Sequence, residues 1–346
     1  MGQPGFWRIG ITCAALLSCG QHAFAQVPAA ASAAGAALDA PQMYNWLARI
    51  HDAARQRNFI GTLVVSSAGQ AVSSARIAHF CEGGNQYERV ESLDGAARHM
   101  FRANELVHTF WPRSHVALVE QRAAVSSFPA LLQGGDDRIA EFYELRLAGL
   151  DRVAGHDASV LTLSPRDARR YGYRLWAEKG SGLLLRADVL GERGELLETS
   201  AFSDVTIGVK PQPESVTLPM KRLDGFRILR SVMVPAKLEA EGWTLRETVP
   251  GFRQVSCVKR PLDPNLATDA GAAAPQALQA IYSDGLTYVS VFIEPQRDDR
   301  PVREAQSVHG ATRMLRSRRG DHWITVVGDV PQATLSAFAN GFERKK

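Results

Sequence analysis

From Asn58 onward the apolar residues of this chain recur at every second position, where before it they recur every third or fourth. That change of period constrains the fold more than any other feature, because a half-buried strand is what reads with period two. Strands are predicted over 59–65, 75–81, 86–92, 97–103, 105–111, 116–120, 142–148, 157–164, 171–178, 183–190 and 196–207. The last two flank Gly191-Glu192-Arg193-Gly194-Glu195, which reads as a hairpin turn. Within 183–190, Leu183, Leu185, Ala187 and Val189 are expected on one face, with Leu184, Arg186, Asp188 and Leu190 on the other. That pattern suits a curved antiparallel sheet packed on one side.

Ahead of Asn58 the period is helical. Met43, Trp46, Leu47, Ile50, Ala53 and Ala54 form one stripe and predict an amphipathic helix over 40–57. Asp39, with Gln42 three residues on, makes an imperfect capping box at its start. The stretch 125–141 breaks the strand pattern. Val125 to Leu132 reads as a short helix or lid ended by Gly134-Gly135, and Arg138 to Phe142 as a second short helix.

Beyond residue 207, Pro211, Pro213, Pro219 and Pro235 fall in a stretch with no long periodic run. Proline removes a backbone donor and fixes φ, so 208–235 is expected to be a linker. It separates a large domain, 39–207, from a smaller α+β domain, 236–346. The latter has strands predicted at 244–248, 252–259, 278–283, 286–294 and 322–328. A last helix is expected from near Pro331, with Leu335, Phe338 and Phe342 on one stripe. Two domains also suit a length of 346 residues.

The first 25 residues carry one charge, Arg8, then an apolar run from Ile9 to Leu17 and the small-x-small pattern Ala23-Phe24-Ala25. This reads as a secretory signal peptide, 1–25, followed by a flexible Ala-rich segment, 26–38. Leu16-Leu17-Ser18-Cys19 offers a rival reading, a lipoprotein box with a lipid on Cys19. Cleavage after Ala25 removes Cys13 and Cys19. Cys81 and Cys257 then remain, more simply read as free thiols than as a pair. A net charge of +4 makes no case for nucleic-acid binding, and 45% hydrophobic with 22% charged residues excludes a disordered or multi-pass membrane chain.

Nucleotide loops, Cys-x-x-Cys, His-Glu-x-x-His and Gly-x-Ser-x-Gly are absent from the sequence, and no enzyme activity, metal or cofactor is expected. His79, Cys81 and His99 could approach a metal, but read more simply as ordinary strand residues. Two sets point towards binding. Trp111, Phe128, Leu131, Leu132 and Phe142 lie in or beside the irregular stretch, as core or as the lining of an apolar pocket. Arg313, Arg316, Arg318 and Arg319 form a short basic run, either solvated or facing an anionic partner.

Several blocks resemble one family. They are Gly182 to Leu190 with Gly194 to Glu198, Pro250-Gly251-Phe252 running to Lys259-Arg260-Pro261-Leu262, Ile281-Tyr282-Ser283-Asp284-Gly285-Leu286, and Thr325 to Pro331. In this order they resemble the RseB/MucB family of periplasmic regulators of the envelope-stress sigma factor, over nearly the whole mature chain. The resemblance implies an α+β fold: a curved antiparallel half-barrel like that of the LolA and LolB carriers, with covering helices, and a smaller C-terminal domain. It implies binding to the periplasmic region of a membrane-spanning anti-sigma factor and protection of that factor from the site-one protease DegS. It also implies release by lipopolysaccharide or lipoprotein acyl chains, and homo-oligomers fit as well. Tyr282, Asp284 and Gly285 become partner-contact candidates, or simply members of a hairpin the fold requires. A lipid or lipoprotein carrier is the alternative that the large domain alone would suit.

Overall fold

Asp39 closes a complete capping box on α1 (Ala40–Gln56): its carboxylate accepts the Gln42 N–H at 2.8 Å and the Gln42 side chain accepts the Asp39 N–H at 3.1 Å. The structure, a computed structural model, describes residues 35–67, 72–121, 138–231, 233–261, 276–296 and 303–345. The leader, Cys19, Phe128, Leu131 and Leu132 lie outside the described residues.

The strands that follow α1 are β1 (Phe59–Ser67), β2 (Ser73–Glu82), β3 (Asn85–Ser92), β4 (His99–Ala103), β5 (Leu106–Trp111) and β6 (Val116–Gln121). After the short α2 (Ile139–Phe142) come β7 (Tyr143–Val153), β8 (His156–Pro165), β9 (Gly172–Glu178), β10 (Leu184–Leu190) and β11 (Leu196–Ile207). These join α3 (Glu214–Lys221) and β12 (Arg227–Ser231) in the first body. The sheet has 12 strands in the order β12-β6-β5-β4-β3-β2-β1-β11-β10-β9-β8-β7, open at β12 and β7. All of its pairs are antiparallel except β12 with β6. Met43, Leu47 and Ile50 of α1 are buried among Tyr143, Leu145, Leu161, Leu163 and Leu175.

The remaining elements are β13 (Val234–Pro235), β14 (Trp243–Leu245), β15 (Arg253–Pro261), β16 (Gln276–Ser283), β17 (Tyr288–Pro295), β18 (Ala305–His309), β19 (Thr312–Arg319), β20 (His322–Gly328), α4 (Gln332–Gly341) and β21 (Phe342–Arg344). Seven strands, in the order β13-β15-β16-β17-β20-β19-β18, make a second sheet, and β14 pairs with β21. Leu335, Phe338 and Ala339 of α4 pack with Val289, Val291, Ile293, Ile324 and Val326. The fold class is α+β with two open sheets.

Three expectations need correction. First, 208–235 is more than a connection. Val216 and Met220 of α3 are buried with Phe80, Phe101, Phe110 and Ala117, and β12 extends the first sheet. The gain from burying those side chains outweighs the donor lost at Pro219, which lies inside the helix. β12 of the first sheet ends at Ser231, and β13 of the second begins at Val234. Second, the alternation in β10 is reset. A bulge between Leu184 and Arg186 leaves Leu183 and Leu185 in one core and puts Leu184, Ala187 and Val189 in another. Third, the end of the expected flexible segment is docked: the Leu38 N–H donates to Leu145 O at 2.8 Å and Ala37 bridges to Arg146 on edge strand β7.

If 208–231 belongs to the first body, limited proteolysis should spare 214–231 in the native protein. Met220→Ala should cost about 2–5 kcal/mol and make α3 the first segment cut. Native protein cut inside 214–231 before anywhere else would contradict this packing.

Candidate functional site

The turn after β16 is built by Asp284. Its Oδ1 accepts the backbone N–H of Leu286 at 3.0 Å and of Thr287 at 2.9 Å. Gly285 sits at φ +97°, where glycine is favoured, and its N–H donates to Ser283 Oγ at 3.0 Å. This leaves Asp284 Oδ2 for the first body. It accepts the Tyr143 hydroxyl at 3.0 Å and an Arg170 terminal N–H at 2.9 Å.

Arg170 and Asp284 are both fully buried. The guanidinium also donates to both Asp167 oxygens, at 2.9 and 3.1 Å, and to Pro250 O at 2.7 Å. Three rings enclose it, with centroids 4.6 Å (Phe142), 5.3 Å (Phe252) and 5.7 Å (Tyr143) away. A charge this deep requires pairing and hydrogen bonding, and the fork of Arg supplies several bonds at once. Gly251 makes the approach possible. At φ +86°, it would place any Cβ 2.8 Å from both terminal nitrogens of Arg170. Burial, and then the adjacent Asp284 charge, push the Tyr143 phenol well above its ordinary pKa, so it remains a donor to the carboxylate.

Other contacts cross the same boundary. Arg313 Nε donates to the Tyr171 hydroxyl oxygen at 2.7 Å, and Thr334 Oγ1 donates to Arg169 O at 2.7 Å. Leu286 and Ala311 are buried in the core formed by α1 and β7–β10.

The sequence candidates are redistributed by this geometry. Tyr282, Asp284 and Gly285 are buried, so none is a surface for a partner. Tyr282 packs on Phe338 and Phe342 with centroids 5.0 and 6.1 Å away. The turn was readable as an exposed hairpin because nothing local marks the body it enters. The four arginines are not one patch. They lie on β19, whose period of two sends Arg313 and Arg319 to one face and Arg316 and Arg318 to the other. Arg319 donates to Asn340 of α4 at 2.5 Å, while Arg316 pairs with Glu294 at 2.7 Å and lies 5.4 Å from the Trp323 centroid. Trp111 ends β5, and Phe142 lies beneath Arg170 beside β7 at the opposite side of the sheet order, in a separate environment.

His79 stacks on Phe59 at 5.4 Å, Cys81 Sγ contacts Arg55 O, and His99 lies 3.9 Å from Glu91. Glu88 and Arg102 form a buried pair at 3.1 Å beside His79. Burial lifts the Glu88 carboxyl to about 7 and lowers the His79 imidazole. Cys81 and Cys257 are free thiols. Arg170 and Tyr143 were not singled out from sequence, and Gly251 only as part of the Pro250-Gly251-Phe252 block. The available signal was an arginine flanked by tyrosines in Arg169-Arg170-Tyr171-Gly172-Tyr173, and the Pro-Gly-Phe turn.

Comparison with known proteins accounts for both bodies. Residues 42–220 match the MucB/RseB N-terminal domain and 237–343 the MucB/RseB C-terminal domain. The chain is 32% identical over 313 residues to the sigma factor AlgU regulatory protein MucB of Pseudomonas aeruginosa, covering 88% of this chain and 91% of that one. It is 26% identical over 285 residues to the sigma-E factor regulatory protein RseB of Escherichia coli, covering 81% and 84%. Among solved structures, the Pseudomonas aeruginosa MucA/MucB complex contains a similar chain, with a TM-score of 0.64, 28% identity and coverage of 88% and 99%.

The joint makes a quantitative demand. Arg170→Ala leaves Asp284 buried without its cation and should cost about 3–5 kcal/mol in urea denaturation. Arg170→Lys should recover only part of that, since an ammonium cannot span Asp167, Asp284 and Pro250 as the fork does. A loss below about 1 kcal/mol in Arg170→Ala, the worth of an exposed pair, would contradict the buried ion pair.

Proposed function

The chain belongs to the MucB/RseB family, and we propose on that premise that it binds the periplasmic region of a membrane-spanning anti-sigma factor and shields it from site-one proteolysis. The observation that carries this reading is the similarity across both domains to the MucB-like chain of the MucA/MucB complex. On this reading the protein works in the periplasm. Binding a protein partner calls for surface rather than a reaction centre. A single-domain lipoprotein carrier would leave the matched second domain without a role.

The second sheet offers a face for the partner. α4 covers one side of it. The register puts Phe292, Glu294, Arg316 and Arg318 together on the other, with Trp323 and Thr325 buried among them. Arg318 is exposed there, and Arg316 is held over Trp323. This face suits an acidic segment carrying an apolar anchor. Arg313 and Arg319 are already engaged with Tyr171 and Asn340 and hold the fold. Release follows when an acyl-chain amphiphile binds the first body and lowers partner affinity, a coupling of typically ~1–3 kcal/mol.

The test is binding of the purified periplasmic segment of the anti-sigma factor. Each exposed ion pair is worth only ~0–1 kcal/mol, so Arg316→Ala with Arg318→Ala should weaken binding several-fold and flatten its salt dependence. Arg319→Ala should leave it unchanged. Absence of any complex would overturn the function, and unchanged affinity in the double variant would overturn the face. Titrating lipopolysaccharide into the complex should lower the bound fraction; tight lipid binding with the complex intact would remove the release step.

A further inference from the structure

Between the two sheets lies a cavity of about 360 Å³, within the size range of small-molecule sites. Val189 on β10, Leu286 in the Asp284 turn and Val327 on β20 give it apolar walls. Its polar groups come from both domains. Glu198 on β11 and Tyr173 on β9 enter from the first, and Asp329 after β20 and Tyr288 on β17 enter from the second.

These groups are poorly served by the protein itself. Glu198 is met by Ser67 Oγ at 3.3 Å and the Ala311 N–H, and Asp329 by Thr312 Oγ1 at 2.6 Å. Neither carboxyl has a cationic partner among the described residues. Tyr173 is 2% exposed and lines the cavity; the Thr287 side chain approaches its hydroxyl, but no described residue meets it with good hydrogen-bond geometry. The hydroxyl of the half-buried Tyr288 also lacks a partner of good geometry among the described residues, with the Ser283 side chain near it. A buried phenol left without a well-placed partner is costly, and two neighbouring half-buried carboxyls with no cation repel each other when both are ionised.

The missing chemistry is positive charge with several N–H donors on a small apolar body. An anion would be repelled by the carboxyls, and a neutral acyl chain would leave them unmet. An ammonium carries three donors, enough for both carboxyls and one phenol oxygen. We propose that this cavity is a binding site for a small aliphatic ammonium compound. Its nitrogen is held by Glu198 and Asp329 with Tyr173, and its carbon chain lies against Val189, Leu286 and Val327. Because the two carboxylates belong to different domains, the occupant ties the domains together.

The site is linked to pH. Burial raises the pKa of Glu198, and the Asp329 charge raises it further; burial raises that of Asp329. Other charged or titratable groups facing this region are Asp284, paired with Arg170, and Arg313, bonded to Tyr171. Glu192 and Glu195 lie on the β10–β11 turn, and Tyr171, Tyr173 and Tyr288 keep their protons. Raised carboxyl pKa values favour the empty folded state at low pH, and that advantage is lost as pH rises through them. An ammonium prefers the ionised carboxylates, so its affinity rises with pH over the same range.

Calorimetric titration of the full chain with n-butylammonium, n-butanol and butyrate tests this. Butylammonium should bind at pH 8 and at least about tenfold more weakly at pH 5, while butanol and butyrate fail to bind. Glu198→Gln and Asp329→Asn should each weaken the pH 8 binding by about tenfold or more, with folding checked by circular dichroism. Ser200→Lys, which tethers an ammonium at the cavity wall, should block the probe and raise the melting temperature at pH 8, giving a readout that does not depend on the carboxyl variants. Butanol binding as well as butylammonium, undiminished binding in folded Glu198→Gln, or no butylammonium binding at pH 8 would overturn the proposal.

Discussion

A fully buried guanidinium cannot be left short of acceptors, and Arg170 has them from three separate stretches of chain: Asp167 beside it, Asp284 and Pro250. That requirement explains features that look unrelated in the sequence. Gly251 lacks a side chain because Arg170 lies where a Cβ would be, and Phe252 turns its ring to the cation. Asp284 holds its own turn with one oxygen and the other body with the second. Pro250-Gly251-Phe252 and Ser283-Asp284-Gly285-Leu286 are two halves of one socket. The two sheets are therefore joined by a contact that cannot slide without exposing or stranding a charge.

This joint bears on how a two-domain regulator can switch. On the proposed reading, a partner on the second sheet and an amphiphile in the first body would communicate through what lies between them. Here that is a buried ion pair, the Arg313–Tyr171 and Thr334–Arg169 bonds, and a cavity with two carboxyls. A ligand that prefers one arrangement of the joint shifts the affinity at the other end by the same free energy. Packed elements with a costly intermediate favour two discrete arrangements over gradual bending.

Much of the fold was legible because period and turn chemistry act locally. Met43, Leu47 and Ile50 announced α1, and Pro331 with Leu335 and Phe338 announced α4. Where a distant surface decided the outcome, local pattern failed. The helical turn of α3 is held by Phe80 and Phe101, far away in sequence, against the advice of Pro213 and Pro219. Leu185 looked like one more alternating residue, but the bulge opposite Trp176 turns the later part of β10 over. Four arginines concealed the strand period of β19, so a divided pair of faces read as one basic run. Asp284 carries no local mark of burial, because its partner lies 114 positions away.

The buried Arg170–Asp284 pair should make the two sheets one cooperative body. Hydrogen exchange followed by mass spectrometry at increasing urea tests it most directly, by comparing amides of β8 and β9 with those of β17 and β20. With the joint intact, both sets should open in one event at the same free energy, and with Asp284→Ala they should separate. If β17 and β20 open well before β8 and β9 in the unaltered protein, the sheets are independent and the joint does not have this role.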